Sequence, residues 1–539
     1  MSAVFHSFAC HCRLAPYGRF AVFAGLILLN LVVGQAHAWG LDDVAALARQ
    51  RAQSAFQPAA QAIPAELAKL DYDGYRDIRF NPARTLWRAD ISPRAPGEAN
   101  FEANFFHVGP GGDSVRIHEI SPAGVKRLAY DPADFNFGKN QLAPEQWGDL
   151  GHGGLRVFSP LNSPSTQDEL LVFQGASYFR ALGIGQRYGI SARGLAVDTV
   201  GGAKEEFPRF TDFWLEKPAA QSKRLTVFAL LESERMTGAY RFDVLPGDET
   251  VTEVHARIFL RASGSPVATL GLAPLTSMFF FGENQPRSGD FRPEVHDSDG
   301  LMIATGDGQG GGEWLWRPLQ NPSTPLVTSF AMNRLKGFGL MQRDRAFHSY
   351  EDTEARYELR PSAWVTPLGD WGAGRVELLQ FATPDETHDN VVAYWVPKTL
   401  PPPGQSLDFA YQIAWQGNNQ QLPPNGWVTQ SRRGTGYSKL GSAALSQQTQ
   451  FVIDFAGPAL DALPDNAPVQ AITTVSANGR VLESLTYRNP ATRAWRITLR
   501  VQRLDLGSAV EATQPLELRA FLQHNHHTVS ETWTNLITP

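Results

Sequence analysis

The sequence predicts an all-β protein made of two sandwiches, a large one at 39–415 and a smaller one at 426–539, with a linker at 416–425. Three observations carry this reading. Short runs in which apolar and polar residues alternate recur along the chain, and no strand–helix alternation interrupts them. Turn-forming residues are plentiful, with 48 Gly and 37 Pro in 539 residues.

The N-terminus stands apart from this pattern. Residues 1–38 contain no acid, carry Arg13 and Arg19, and continue into the apolar run Phe20–Val33 and then Ala36-His37-Ala38. That is the order of a secretory signal peptide, cut before Trp39. The apolar run is shorter than the roughly 20 residues a spanning helix needs. Both cysteines, Cys10 and Cys12, fall in this leader. The mature chain is then free of thiols, which excludes disulfides, cysteine-bound zinc, iron–sulfur clusters and thiol catalysis. A large exported chain without disulfides fits the bacterial periplasm. Lys+Arg total 48 against 54 Asp+Glu, a formal charge of −6, so nucleic acid is excluded as a partner.

Each element follows from local pattern. Residues 41–56 read as an amphipathic helix, with Leu41, Val44, Ala45, Ala48 and Ala52 on one face and acids in the first turn. Tyr240, Phe242 and Val244 alternate with polar residues, as do Val254, Ala256, Ile258 and Leu260. Pro246-Gly247-Asp248 between them predicts an antiparallel hairpin. Residues 407–415 form a further strand before the Pro- and Asn-rich linker. The tail has strands at 450–455, 469–476, 480–487 and 494–502, and Asn478-Gly479 between two of them predicts a hairpin turn. Its size and strand spacing suit an immunoglobulin-like sandwich.

Several motifs fail on inspection. The glycines of 183–189 have the wrong spacing for a dinucleotide site, and the glycine run 306–312 lacks the Lys-Ser/Thr of a phosphate loop. Asp297-Ser298-Asp299-Gly300 opens like a calcium loop but continues with Met302 and Gly308 where that loop needs other residues. His524-Asn525-His526-His527 has no adjacent carboxylate and reads as a polar turn. Neither a metal nor a cofactor is expected.

Carboxylates beside aromatic rings remain. Arg292–Asp299 packs three acids and a histidine together. Trp314 and Trp316 lie beside Glu313 and Arg317, and Tyr357, Arg360 and Trp364 lie beside Glu358. Asp385, Glu386 and Asp389 form a second acidic group, which runs straight into an apolar strand. Sugars need this combination, because C–H faces stack on rings, hydroxyls bond to Arg and acids, and hydrolysis uses two carboxylates in different protonation states. Trp314, Trp316, Tyr357, Arg360, Trp364 and Glu386 are the candidate substrate contacts.

At these residues the chain resembles the periplasmic glucan biosynthesis proteins of types G and D, which act on osmoregulated periplasmic glucans. The matching stretches are GASYFRALGIGQRYGISARGLAVDT (175–199), EEFPRFTDFWLEKP (205–218), LAPLTSMFFFGENQP (272–286), FRPEVHDSDGL (291–301), GEWLWRPLQNP (312–322), LRPSAWVTPLGDWGAG (359–374) and DETHDNVVAYW (385–395). The likeness is closer to type G, since Arg13 and Arg19 do not form the twin-arginine leader usual in type D. It implies a galactose-mutarotase-like N-terminal sandwich with an elongated cleft and an immunoglobulin-like C-terminal domain. It also implies inverting action on β-1,2-glucan, by hydrolysis or transglycosylation. In that scheme Asp389 is the general acid and Asp297 the general base, acting through a water relay. Asp389 is expected to be the more enclosed, with Asp385 and Glu386 helping to keep it protonated. Inverting pairs typically stand roughly 6.5–9.5 Å apart, so the separation is expected to exceed the roughly 5–5.5 Å of retaining pairs. The second reading is a non-catalytic partner that binds and shapes glucan for the inner-membrane glucan synthase.

Overall fold

A computed structural model describes residues 39–58, 63–88, 101–202, 204–219, 222–262, 264–306, 311–435, 448–504 and 514–538. The leader, with Cys10 and Cys12, and the middle of the 306–312 glycine run lie outside the described residues. Among those described, no helix is long and apolar enough to cross a membrane.

The strand Leu225–Glu232 is buried along its whole length because both of its faces are covered. Val227, Ala229 and Leu231 point into the main core, while Phe228 and Leu230 meet the first helix. That helix spans Leu41–Ala52 and buries Val44, Ala45, Ala48 and Ala52. It ends four residues earlier than its apolar pattern suggested, and its C-cap is Gln53. The expected hairpin forms as Met236–Leu245 against Thr250–Leu260, with Tyr240 opposite Ala256 and Phe242 opposite Val254.

The fold is all-β, with two large sheets stacked on an aromatic core. One sheet runs from Glu102–Phe106 through Tyr178–Ala181, Ser191–Arg193 and Leu270–Ser277 to Val391–Pro397 and Leu326–Met332. The other carries the Leu225–Glu232 strand and continues through Ser406–Gln416, Ser362–Leu368 and Gly300–Thr305. Rings interlock between the sheets: Phe173 lies 5.0 Å from both Phe213 and Phe242, and Phe179 lies 5.2 Å from Phe242. Burying such rings dominates core energetics, at roughly 3–5 kcal/mol lost for each one truncated to Ala.

The second large sheet passes into the C-terminal segment. Trp314–Pro318 pairs in parallel with Thr532–Ile537, Leu315 opposite Thr532 and Trp316 opposite Trp533. A separate four-stranded sheet orders Trp427–Gly434, Gln448–Ala456, Trp495–Arg503 and Gly479–Arg488. Its core combines Phe451, Phe455 and Trp495 with Trp316, Met341, Trp364 and Trp533.

One turn expectation fails. Val469–Val475 pairs with Leu516–His524, whereas Gly479–Arg488 pairs with Trp495–Arg503, so Asn478-Gly479 joins two sheets and makes no hairpin. A type I′ hairpin needs positive φ at both central residues, and neither Asn478 nor Gly479 has it. The Asn478 carboxamide is used elsewhere, donating to the carbonyls of Gln514 and Pro515. The backbone that does meet the requirement is Asn525-His526, with φ of 48° and 65°, turning His524 back onto His527. The histidine-rich stretch is therefore a hairpin tip.

Candidate functional site

Asp297 and Asn390, the residue after Asp389, are far apart in sequence but are fastened to consecutive residues of one segment. The Asp297 N–H donates to the Met278 carbonyl at 2.8 Å, and the Asn390 N–H donates to the Ser277 carbonyl at 3.1 Å. The Ser277 and Ser298 hydroxyls bond to each other at 2.8 Å. Asn390 is buried, and its side chain accepts from the Phe279 N–H and donates to the Phe279 and Phe381 carbonyls. His296 stacks on Phe279 at 5.4 Å and bonds to Gln342 and Glu294, which fixes the segment leading to Asp297.

The two carboxylates differ in environment, but in the opposite sense to the sequence expectation. Asp297 is only 4% exposed and ion-pairs with Arg360, whose guanidinium lies 4.2 Å from the Tyr357 ring centroid. Asp389 is exposed on the wall of a groove of about 550 Å³ that Phe106, Arg156, Tyr178, Arg180 and Tyr188 also line. Burial pushes the Asp297 carboxyl up; Arg360 opposes this and the charge of Asp389 adds to it. The Asp389 carboxyl is also raised, because the groove walls exclude water, against the pull of Arg180, Arg193 and Arg360. Open surface and desolvation coexist because a concave wall keeps the group in contact with solvent but away from bulk water.

The flanking acids do not perform the expected task. Asp385 accepts from the Thr387 N–H and hydroxyl and bonds to His388, and the Thr387 bonds lead in lowering it to about 2. Glu386 is held by Arg292 at 2.8 Å, which also pairs with Asp290 and Asp352. Both acids are tied up in ion pairs and turns, and neither is among the groups that shift Asp389.

The candidate rings divide into two groups. Tyr357 and Arg360 sit at Asp297. Trp316 and Trp364 are buried in the core shared with the C-terminal strands, Trp316 beneath the Arg343 guanidinium at 3.6 Å. Trp314 stacks on Trp364 at 5.8 Å. None of these three indoles is among the residues lining the Asp389 groove. Trp314 and Trp316 lie on the strand that pairs with Thr532–Ile537, and Trp364 packs in the core that includes Trp316 and Trp533. Sequence reasoning missed Tyr178, Arg180, Arg193 and Asn390, although all lie within the stretches that carry the family likeness. Arg193 is held by the Thr276 hydroxyl at 2.8 Å and lies 4.7 Å from the Tyr178 ring centroid.

One other carboxylate cluster stands near the site. Glu283, Glu294 and Asp344 bring oxygens within 4.8 Å of one another. Burial, and after it the charge of Glu294, pushes Glu283 up to about 7, and Asp344 is raised for the same reasons. Raised in this way, Glu283 is partly protonated near neutral pH, which offsets the charge of the cluster.

Residues 39–537 match the family described as periplasmic glucan biosynthesis protein, MdoG. The chain is 50% identical over 517 residues to the glucans biosynthesis protein G of Ralstonia nicotianae, covering 95% of this chain and 99% of that protein. With a match that spans both large sheets, the Asp297–Asp389 site and the C-terminal strands, the chain belongs to the periplasmic glucan biosynthesis family, MdoG.

Proposed function

We propose that the protein acts on the β-1,2-glucan backbone of osmoregulated periplasmic glucans by an inverting mechanism. Asp389 donates the proton to the departing glycosidic oxygen, and Asp297 accepts a proton from the attacking water through a relay. The carrying observation is that the backbones of Asp297 and of Asn390, next to Asp389, bond to the consecutive residues Met278 and Ser277, with Asp389 on a groove wall and Asp297 buried. A raised carboxyl at a groove wall suits a general acid near neutral pH. The burial of Asp297 fits a base that reaches water through an intermediary, and Arg360 favours its ionised form. Arg180, Arg156 and Tyr178 supply donors and a ring face for the sugars. The chain is proposed to begin at Trp39 after removal of the 1–38 leader, and residues 426–539 are proposed as an immunoglobulin-like module beside the glucan-binding sandwich.

The test is incubation of the mature protein with linear β-1,2-glucan, with products followed by size and anomeric configuration. Shortened or re-joined chains with inverted anomers are expected. Asp389→Asn should abolish turnover and keep binding, and Asp297→Asn should do the same. Near-normal turnover in either variant would remove that residue from its role. The ion pair between Arg360 and Asp297 favours a second reading, in which the base is locked and the protein binds glucan for the membrane synthase. Demonstrable binding with unchanged chain length would establish that reading instead.

A further inference from the structure

Trp314 carries the sugar-binding signature in sequence, yet it stands apart from the groove at Asp389. It lines a second pocket of about 310 Å³, together with Glu313, Pro424, Asn425, Phe521 and Thr528. That volume is at the lower end of ligand pockets, which run from about 300 to 1,000 Å³. The pocket lies where Trp314–Pro318 meets Thr532–Ile537, and Trp314 and Thr532, the first residues of the two strands, both line it.

The chemistry of the lining is amphipathic. The half-buried Trp314 indole is held by the buried Trp364, whose ring stacks on it at an interplanar angle of 17°. A ring fixed in this way offers apolar area with little ordering entropy left to lose on binding. Around it are polar groups with capacity to spare. The Trp314 indole N–H and the Thr528 hydroxyl make no hydrogen bond among the described residues. Glu313 receives Arg519 at 2.6 Å and Thr532 at 2.7 Å, both on Oε1, which leaves Oε2 without a hydrogen bond among the described residues. Among the described residues the Asn425 side chain makes one long bond, from Nδ2 to the Thr528 carbonyl at 3.5 Å.

One indole face and several unused donors and acceptors match a pyranose, which presents a C–H face and a rim of hydroxyls. The Glu313 carboxylate among the acceptors disfavours an anionic ligand and points to a neutral sugar. We infer that this pocket is a second, non-reacting binding site for unsubstituted glucan, centred on Trp314. The choice of glucan rests on the function proposed above. Such a site would hold a long chain to the protein while another part of it occupies the Asp389 groove, which raises its effective concentration there.

The test uses mature protein carrying Asp389→Asn, so that glucan is not consumed, labelled with 5-fluorotryptophan. Linear β-1,2-gluco-oligosaccharides are titrated in, fluorine resonances are followed, and Trp314→Phe identifies the Trp314 signal. That signal should shift saturably. Affinity for long glucan should fall roughly threefold or more in Trp314→Ala and in Asn425→Ala. Asn425 is exposed and weakly bonded, so its variant folds and keeps the test decisive if Trp314→Ala does not. A Trp314 signal that stays still while long glucan binds unchanged in the Asn425→Ala variant would overturn the second site and leave the groove reading standing. Absence of any glucan binding would overturn both.

Discussion

Asn390 binds the backbone of Phe279 in both directions, accepting from its N–H at 2.8 Å and donating to its carbonyl at 3.0 Å. Phe279 also pairs with His296, next to Asp297, while Asn390 directly follows Asp389. One carboxamide therefore couples the two halves of the proposed catalytic pair. Asn390→Ala strips a partner from three backbone groups, the Phe279 N–H and the Phe279 and Phe381 carbonyls, and at about 1–3 kcal/mol for each left unsatisfied it should cost about 3 kcal/mol or more. Turnover should fall further than stability accounts for, because Asp389 loses its neighbour's anchor. Denaturant unfolding and kcat measured on the folded fraction check this.

Arg360 opposes the burial that raises Asp297. As the proposed base, Asp297 must be ionised, so the proposed activity should be lost as pH falls through its pKa. Arg360→Leu removes the opposing cation and moves that pKa higher still. The acidic limb of the kcat/KM profile should shift to higher pH, with roughly a tenfold loss at fixed pH below the limb for each unit moved. An unshifted limb would assign the limb to another group.

Glu283 gives a stability prediction with a definite sign. Its folded pKa of about 7 stands above the ordinary value of 4.5. The protonated form is therefore favoured by folding. This contribution is fully present below the unfolded pKa and is lost as pH rises through about 7. Charged and polar groups around it are Glu294, Asp299 and Asp344, Arg432 at 3.7 Å, and the Ser431 N–H that it accepts. Glu283→Gln keeps an acceptor for Ser431 and removes the ionisation. It should flatten the stability profile between pH 5 and 8 by up to about 3 kcal/mol, read from chemical unfolding across that range.

Glu531 is fully enclosed where the C-terminal strands meet the large sheet. It accepts from Arg343 at 2.6 and 3.0 Å and from the Val428 N–H at 2.7 Å. Glu531→Ala leaves a buried guanidinium and a buried N–H without their acceptor, and should destabilise the protein by about 3–5 kcal/mol. Glu531→Gln, which can still accept from Val428, should lose less. Thermal and urea unfolding of both variants checks the order.

Local pattern in the sequence was enough for the all-β class, the first helix, the hairpin at 236–260 and the polar turn at 524–527, because periodicity and turn chemistry are encoded within a few residues. The family likeness was legible for the same reason, in unbroken stretches. What local pattern could not decide was enclosure. Asp297 is buried and Asp389 open because of what packs over each from distant strands, and no neighbour in sequence reports that. Asn478-Gly479 has the composition of a hairpin, but residues 514–515 capture the Asn478 side chain and the strands on either side pair elsewhere. Trp314, Trp316 and Trp364 have the composition of a sugar platform near the acids, yet the first two lie on the strand paired with Thr532–Ile537 and Trp364 packs in the core it shares with Trp533. The sequence by itself determined which residues could do carbohydrate chemistry; only the tertiary structure decided which of them share a site, since strand pairing and side-chain burial arise from contacts between segments that the chain order keeps apart.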